Sequence, residues 1–144
     1  MKQTIRKTYT NLKAAHRQWR HAGHCHFAHG ENWTLHITMA CEKLDEQNFV
    51  IDYGALRPLR AEIEQLFDHT LLIDHDDPAR AQFEALHEQG LCDLRIVESA
   101  SAEGLCKIVM GMADKCVRGL TGGRAWVEEV TVEEDTKNTA TLRL

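Results

Sequence analysis

The chain has 144 residues, 43% hydrophobic and 27% charged, with a net charge of −5, the make-up of one globular domain, 1–144, able to bury a core without disulfide staples. Its 17 basic against 22 acidic residues include no run of Lys or Arg, which argues against nucleic acid as a partner, since phosphate backbones need a basic stripe. No apolar run is long enough to span a bilayer and Met1 to Lys7 lacks the apolar core of a secretion signal, so no membrane partner is expected and the expected compartment is the cytoplasm.

Thr4 to Ala14 reads as a first strand, and Arg17 to Phe27, polar and interrupted by Gly23, as a loop. Asn32 to Glu42 alternates as a long strand, with Trp33, Leu35, Ile37 and Met39 on one face and Thr34, His36 and Thr38 on the other. A polar turn at Asp45–Asn48 and the segment Phe49–Gly54 lead into a helix whose apolar positions are Leu56, Leu59, Ile63, Leu66 and Phe67. Pro58 is tolerated in its first turn, and it ends near Asp68-His69. Asp74 to Pro78 is a turn, Ala79 to Gln89 a short helix stopped by Gly90, and Asp93 to Glu98 a short strand. Ser101 then opens a long helix with a stripe of Leu105, Ile108, Val109, Met112 and Cys116, ended by Gly119, Gly122 and Gly123. Strands follow at Ala125–Glu134 and Thr139–Leu144, the first with Trp126, Val130, Val132 and Glu134 on one face. This order predicts an α+β fold with helices on one face of an antiparallel sheet.

The nine residues Cys25 to Trp33 hold a thiol, two imidazoles and a carboxylate, and six of the nine histidines fall between His16 and His36. Residues two apart on a strand share a face, so His29 and Glu31 can reach one metal ion; both have the parity of the apolar set, and His36 does not. Glu134, at the end of an apolar face, must find a hydrogen-bonding partner or gain proton affinity. The five cysteines are odd in number and scattered without a Cys-x-x-Cys pair, which predicts reduced thiols. Taken singly, Cys25 also reads as a loop thiol, His16 and His29 as structural histidines, Asp68-His69 as a helix-end charge arrangement and Glu134 as a strand-end acid.

Taken together and in order, Ala14-Ala15-His16, Cys25 with His29-Gly30-Glu31-Asn32-Trp33, Val50-Ile51-Asp52-Tyr53-Gly54-Ala55-Leu56, Asp68-His69 and Val130-Thr131-Val132-Glu133-Glu134 resemble the 6-pyruvoyl-tetrahydropterin synthase family. The resemblance is to its bacterial branch, the 6-carboxytetrahydropterin synthases of queuosine precursor synthesis. It implies a tunnelling fold: a four-stranded antiparallel sheet backed by two helices, three subunits closing into a barrel, two trimers stacking into a homohexamer, and active sites between subunits. It implies a lyase acting on a dihydropterin triphosphate, with zinc held by His16, His29 and the residue two beyond, a histidine in the family and Glu31 here. Zinc accepts two imidazoles and a carboxylate; the alternatives are a different metal, or a nitrogen from His24 or His26. By the same resemblance Cys25 is the catalytic thiol, Asp68 and His69 its proton relay, and Glu134 the acceptor of the pterin edge, with Ser101 and Glu103 nearby. Arg17 and Arg20 are candidates for the triphosphate. A 6-pyruvoyl product, or a pterin-binding homologue with altered catalysis, follows if Glu31 weakens the metal.

Overall fold

The computed structural model describes residues 1–144. Strand β1 (Gln3–His16) pairs antiparallel with β2 (His29–Cys41), which pairs with β5 (Ala125–Glu134), which pairs with β6 (Asn138–Arg143). These are the expected antiparallel strands, and the sheet extends beyond them. Strand β3 (Thr70–Asp74) lies parallel to β1, and β4 (Leu94–Val97) lies parallel to β3, giving six strands in the order β4-β3-β1-β2-β5-β6. All five residues of β3 are buried. A short strand covered on both faces has no polar alternation to mark it, which is why it does not stand out in the sequence.

Helix α1 (Arg57–Phe67) carries Pro58 in its first turn and buries Leu59, Ile63 and Phe67. Helix α2 (Arg80–Glu88) buries none of its side chains. Helix α3 (Ala102–Thr121) is capped by the Ser101 hydroxyl, which accepts from the Gly104 N–H at 3.0 Å. It runs through Gly119 and stops only at Gly122, whose left-handed backbone (φ 61°) suits glycine. Its fully buried positions are Leu105, Val109, Ala113 and Val117, with Ile108, Met112 and Cys116 on the margin. The stripe is therefore rotated slightly from the expected one. No helix is long and apolar enough to cross a membrane.

Two bulges set which residues face the core. Tyr9 opposes Leu35 while Leu12 opposes Trp33, so β1 spends one more residue than β2 over that interval, with Asn11 at φ 59°. In β5, Val127 opposes Met39 and Glu129 opposes Thr38. That extra residue brings Val127 and Val130 inside together and leaves Trp126 half-buried, correcting the face expected for the tryptophan. The resulting core is one cluster of 28 residues between the sheet and the helices α1 and α3. All five cysteines are free, as expected.

Candidate metal centre

The β1–β2 ladder sets His16 directly opposite His29, and Ala14 opposite Glu31. Opposed residues share a face, and His29 and Glu31 continue the inward parity of Trp33. The pairing register alone thus collects two imidazoles and a carboxylate at one end of the sheet. One ligand atom from each of His16, His29 and Glu31 lies within 4.8 Å of the others. Glu31 Oε1 is 3.2 Å from His29 Nε2 and 3.6 Å from His16 Nε2, and Glu134 Oε1 is 3.9 Å from the same His16 nitrogen.

Both imidazoles are presented in one tautomer. His16 Nδ1 is 2.7 Å from the Ala100 carbonyl and His29 Nδ1 is 2.7 Å from the Phe27 carbonyl. A carbonyl only accepts, so each Nδ1 carries a proton, and in the neutral ring this leaves Nε2 as the ligating lone pair. The His16 side chain is 2% exposed, and its Nε2 has no hydrogen-bond partner. Burial holds the His16 proton affinity below the usual imidazole range, which keeps that lone pair free. The Trp33 ring, 4.9 Å away and near perpendicular, walls off one side, its indole N–H donating to the Ala14 carbonyl. His29 is 32% exposed and forms the open side.

The Ala100 carbonyl is itself fixed. Its own N–H donates to buried Asp74 Oδ1 at 2.7 Å, and Gln18 Nε2 donates to the carbonyl at 3.0 Å. Gly104 allows this loop to lie against α3, because a Cβ there would meet the Ser99 side chain at 2.4 Å. On the other flank burial pushes the Glu31 carboxyl up to about 7, with Asp135 adding to the rise. The Glu31 hydrogen bond in turn holds Asp135 below the usual carboxylate range. Burial, then the charge of Glu103, raises Glu134 as well.

This donor set fits a divalent cation such as zinc. Tetrahedral ligands at zinc bond lengths stand roughly 3.3 Å apart, close to the two Glu31 separations. A buried lone pair without a partner, on an imidazole anchored through its other nitrogen, is the arrangement of a metal-ligating histidine. His24 and His26 do not join the group: they lie on a 3-10 turn, His24–His26, with His26 Nδ1 against the Gly23 carbonyl. His36 faces away, between Thr8 and Glu133.

Of the other expected site residues, Cys25 is exposed on that same turn. His69 holds Asp68 at 2.7 Å, both exposed, and shares a cavity of about 360 Å³ with His29. Glu134 lines a polar cavity of about 580 Å³ with Glu31 and Asp135. Ser101 is engaged as the α3 cap, and Glu103 stands in the first turn of that helix. Arg17 is a correction: it forms a two-pronged pair with Asp77, whose side chain is fully buried, at 2.6 and 2.9 Å. Arg20 is held by Asp76 at 2.5 Å and lies 3.8 Å from Asp74. Arg17 is thereby committed to a buried acid, whereas Arg20, 63% exposed, is paired at the surface. Asp74 and Asp135 escaped the sequence reading, although an acid closing the apolar run Leu71-Leu72-Ile73 was a usable signal; no residue type announces a carbonyl such as that of Ala100.

The profile of the 6-pyruvoyl tetrahydropterin synthase family matches residues 4–144. A 6-carboxy-5,6,7,8-tetrahydropterin synthase of Rickettsia conorii is 37% identical over 70 residues, covering 48% of this chain and 51% of that protein. The matched stretch thus spans about half the length of that relative. Among solved structures, an uncharacterized protein from Wolinella succinogenes superposes with a TM-score of 0.84 at 17% identity, covering 99% of this chain and 98% of that one. The 6-pyruvoyl tetrahydropterin synthase of Plasmodium vivax does so at 0.68 and 17%, with the same coverage.

Proposed function

The chain belongs to the 6-pyruvoyl tetrahydropterin synthase family, and on that footing we propose that it is a zinc-dependent lyase converting 7,8-dihydroneopterin triphosphate and water to 6-carboxytetrahydropterin, with loss of triphosphate and acetaldehyde. The observation that carries this reading is the convergence of His16, His29 and Glu31, with the buried His16 Nε2 lacking any partner.

In this proposal the three side chains hold the zinc, and Ala100 and Phe27 keep both imidazoles in the ligating tautomer. Bound zinc supplies positive charge that acidifies a C–H beside a substrate side-chain oxygen. Cys25, on the turn leading to His29, removes that proton as thiolate. His69, oriented by Asp68, relays it from the rim of the cavity it shares with His29. Glu134 accepts the parallel N–H donors of the pterin's amino-pyrimidine edge, for which a carboxylate has the matching spacing. Burial and the Glu103 charge raise the Glu134 proton affinity, a cost to the ionised form that such donors would offset. Ser101 and Glu103, at the start of α3, border that edge.

The reading extends to three copies closing a tunnelling-fold barrel, trimers stacking into a hexamer with sites between subunits, and a place in cytoplasmic queuosine precursor synthesis. Incubation of zinc-loaded protein with dihydroneopterin triphosphate tests it: acetaldehyde, triphosphate and a product of the carboxy mass are expected, and release of neither overturns it. Glu31 favours a second reading. A carboxylate in place of a neutral imidazole lowers the positive charge of the site by one, and a weaker electrophile would stop at the 6-pyruvoyl product or only bind pterin. The product mass separates these.

A further inference from the structure

At the other end of β1 three cations gather without a counter-charge. Lys7 is the cross-strand partner of Ile37, which is fully buried, and shares its face with Ile5 and Tyr9. The lysine is thus half-buried on the helix-covered side of the sheet. Arg57 and Arg60 reach the same place from the start of α1, and with Lys7, Tyr9 and Tyr53 they line a cavity of about 480 Å³. None of the three makes an ion pair. Their neighbours are aromatic: Lys7 Nζ is 5.8 Å from the Tyr9 ring and 5.7 Å from the Tyr53 ring, and the Arg60 guanidinium is 5.8 Å from the Tyr9 ring. Asp52 accepts from the Gly54 N–H and lines an adjoining cavity, and Glu62 and Glu64, the acids nearest Arg60 in sequence, line no part of this one.

Lys7 is half-buried and Arg57 and Arg60 are exposed; like charges gathered on one cavity repel, and elsewhere in the chain arginines such as Arg17, Arg80 and Arg118 are matched with acids. Two further features favour an anion. The cavity abuts the first residues of α1, where the positive end of the helix dipole lies. Tyr9, in its wall, is 5% exposed and its hydroxyl has no hydrogen-bond partner. Seven residue steps along the strand separate Tyr9 from His16, roughly 20 Å, and the cavity shares no residue with the metal group.

We infer that Lys7, Arg57 and Arg60, with Tyr9, form a binding site for a phosphate chain, separate from the metal centre of the same subunit. Guanidinium groups match phosphate oxygens with paired donors, the ammonium adds a point charge, and charge-assisted bonds of this kind are the strong ones. The chain could be carried by a pterin seated in a neighbouring copy, or belong to a separate phosphorylated ligand.

Inorganic tripolyphosphate titrated calorimetrically into the metal-free, full-length protein at low salt tests this. Saturable binding is expected, weakening with salt, falling at least tenfold in Lys7→Gln/Arg60→Gln and in Arg57→Gln/Arg60→Gln, and severalfold in Tyr9→Phe. It should be unchanged in Arg143→Gln, a distant surface control, and in His16→Asn, which disables the metal group. Absent binding, or binding indifferent to the cavity variants while they remain folded by circular dichroism, overturns the inference. The kinetic arm alone rests on the proposed lyase: a raised KM for the pterin triphosphate with kcat preserved assigns the chain to the substrate, whereas an unchanged KM assigns it to a separate ligand.

Discussion

Replacing Glu31 by Gln should invert in effect according to whether metal is present. In the metal-free protein the Glu31 carboxyl is raised from 4.5 to about 7, chiefly by burial. The folded state therefore binds this proton more tightly than the unfolded chain does. Its stabilising contribution is complete below pH of about 4.5 and is lost as pH rises through about 7, after which the ionised group costs ~3 kcal/mol, at about 1.4 kcal/mol for each tenfold change in proton affinity. Gln keeps the shape, can still donate to Asp135, and never ionises. Metal-free Glu31→Gln should accordingly be more stable than the wild type by ~2 to 3 kcal/mol at pH 8, with the difference vanishing near pH 4.5. His16, lowered by burial, acts in the opposite sense below pH 6.5 but is common to both proteins and cancels. Saturating zinc should reverse the order at pH 8. The wild type gains ~4.1 kcal/mol when zinc is a thousandfold above its dissociation constant, more than its metal-free deficit, while the variant has lost its anionic ligand and gains little. Urea denaturation at pH 4.5 and 8, with and without zinc, reads all four values. Equal stabilities at both pH values, together with an undiminished zinc gain in the variant, would refute the assignment of Glu31 to the metal.

Asp74→Ala, which touches the ligand only through Ala100, should weaken zinc binding by up to about tenfold, the low end of the cost of losing an outer partner, and destabilise the fold by ~1 to 3 kcal/mol through the unmet Ala100 N–H; metal titration and thermal melts check the two. Arg17→Gln should cost ~3 to 5 kcal/mol by leaving the buried Asp77 charge uncompensated, with zinc affinity unmoved, whereas a role in holding triphosphate would show as a raised KM in a stable protein. Cys25→Ala should abolish turnover while zinc content stays at the wild-type level, because the thiol is assigned to proton removal and not to ligation; atomic absorption beside the acetaldehyde assay separates the two.

The antiparallel strands and both long helices were readable because each has one wet face. Leu59, Ile63 and Phe67 recur at helical spacing, and Trp33, Leu35, Ile37 and Met39 alternate. Strand β3 was not readable, since five buried residues carry no alternation. The inward parity of His29 and Glu31 could be seen within one strand. Their meeting with His16 depends on the β1–β2 register across a loop of twelve residues, which no local pattern fixes, and here the family resemblance supplied what periodicity lacked. The pairing of Arg17 with Asp77, sixty positions away, was likewise beyond reach.

The extra residue at Asn11 has a consequence for how this chain tolerates change. Ile5, Lys7 and Tyr9 look inward on odd numbers, Leu12, Ala14 and His16 on even ones, and only the kink between them reconciles the two halves. Removing Asn11 would leave every side chain intact yet roll either half of the strand by half a turn, exposing His16 to solvent or lifting Lys7 and Tyr9 out of their cavity. One amide unit thereby keeps both ends of a 14-residue strand in phase, and a deletion that removes no residue of either site would disarm one end or the other.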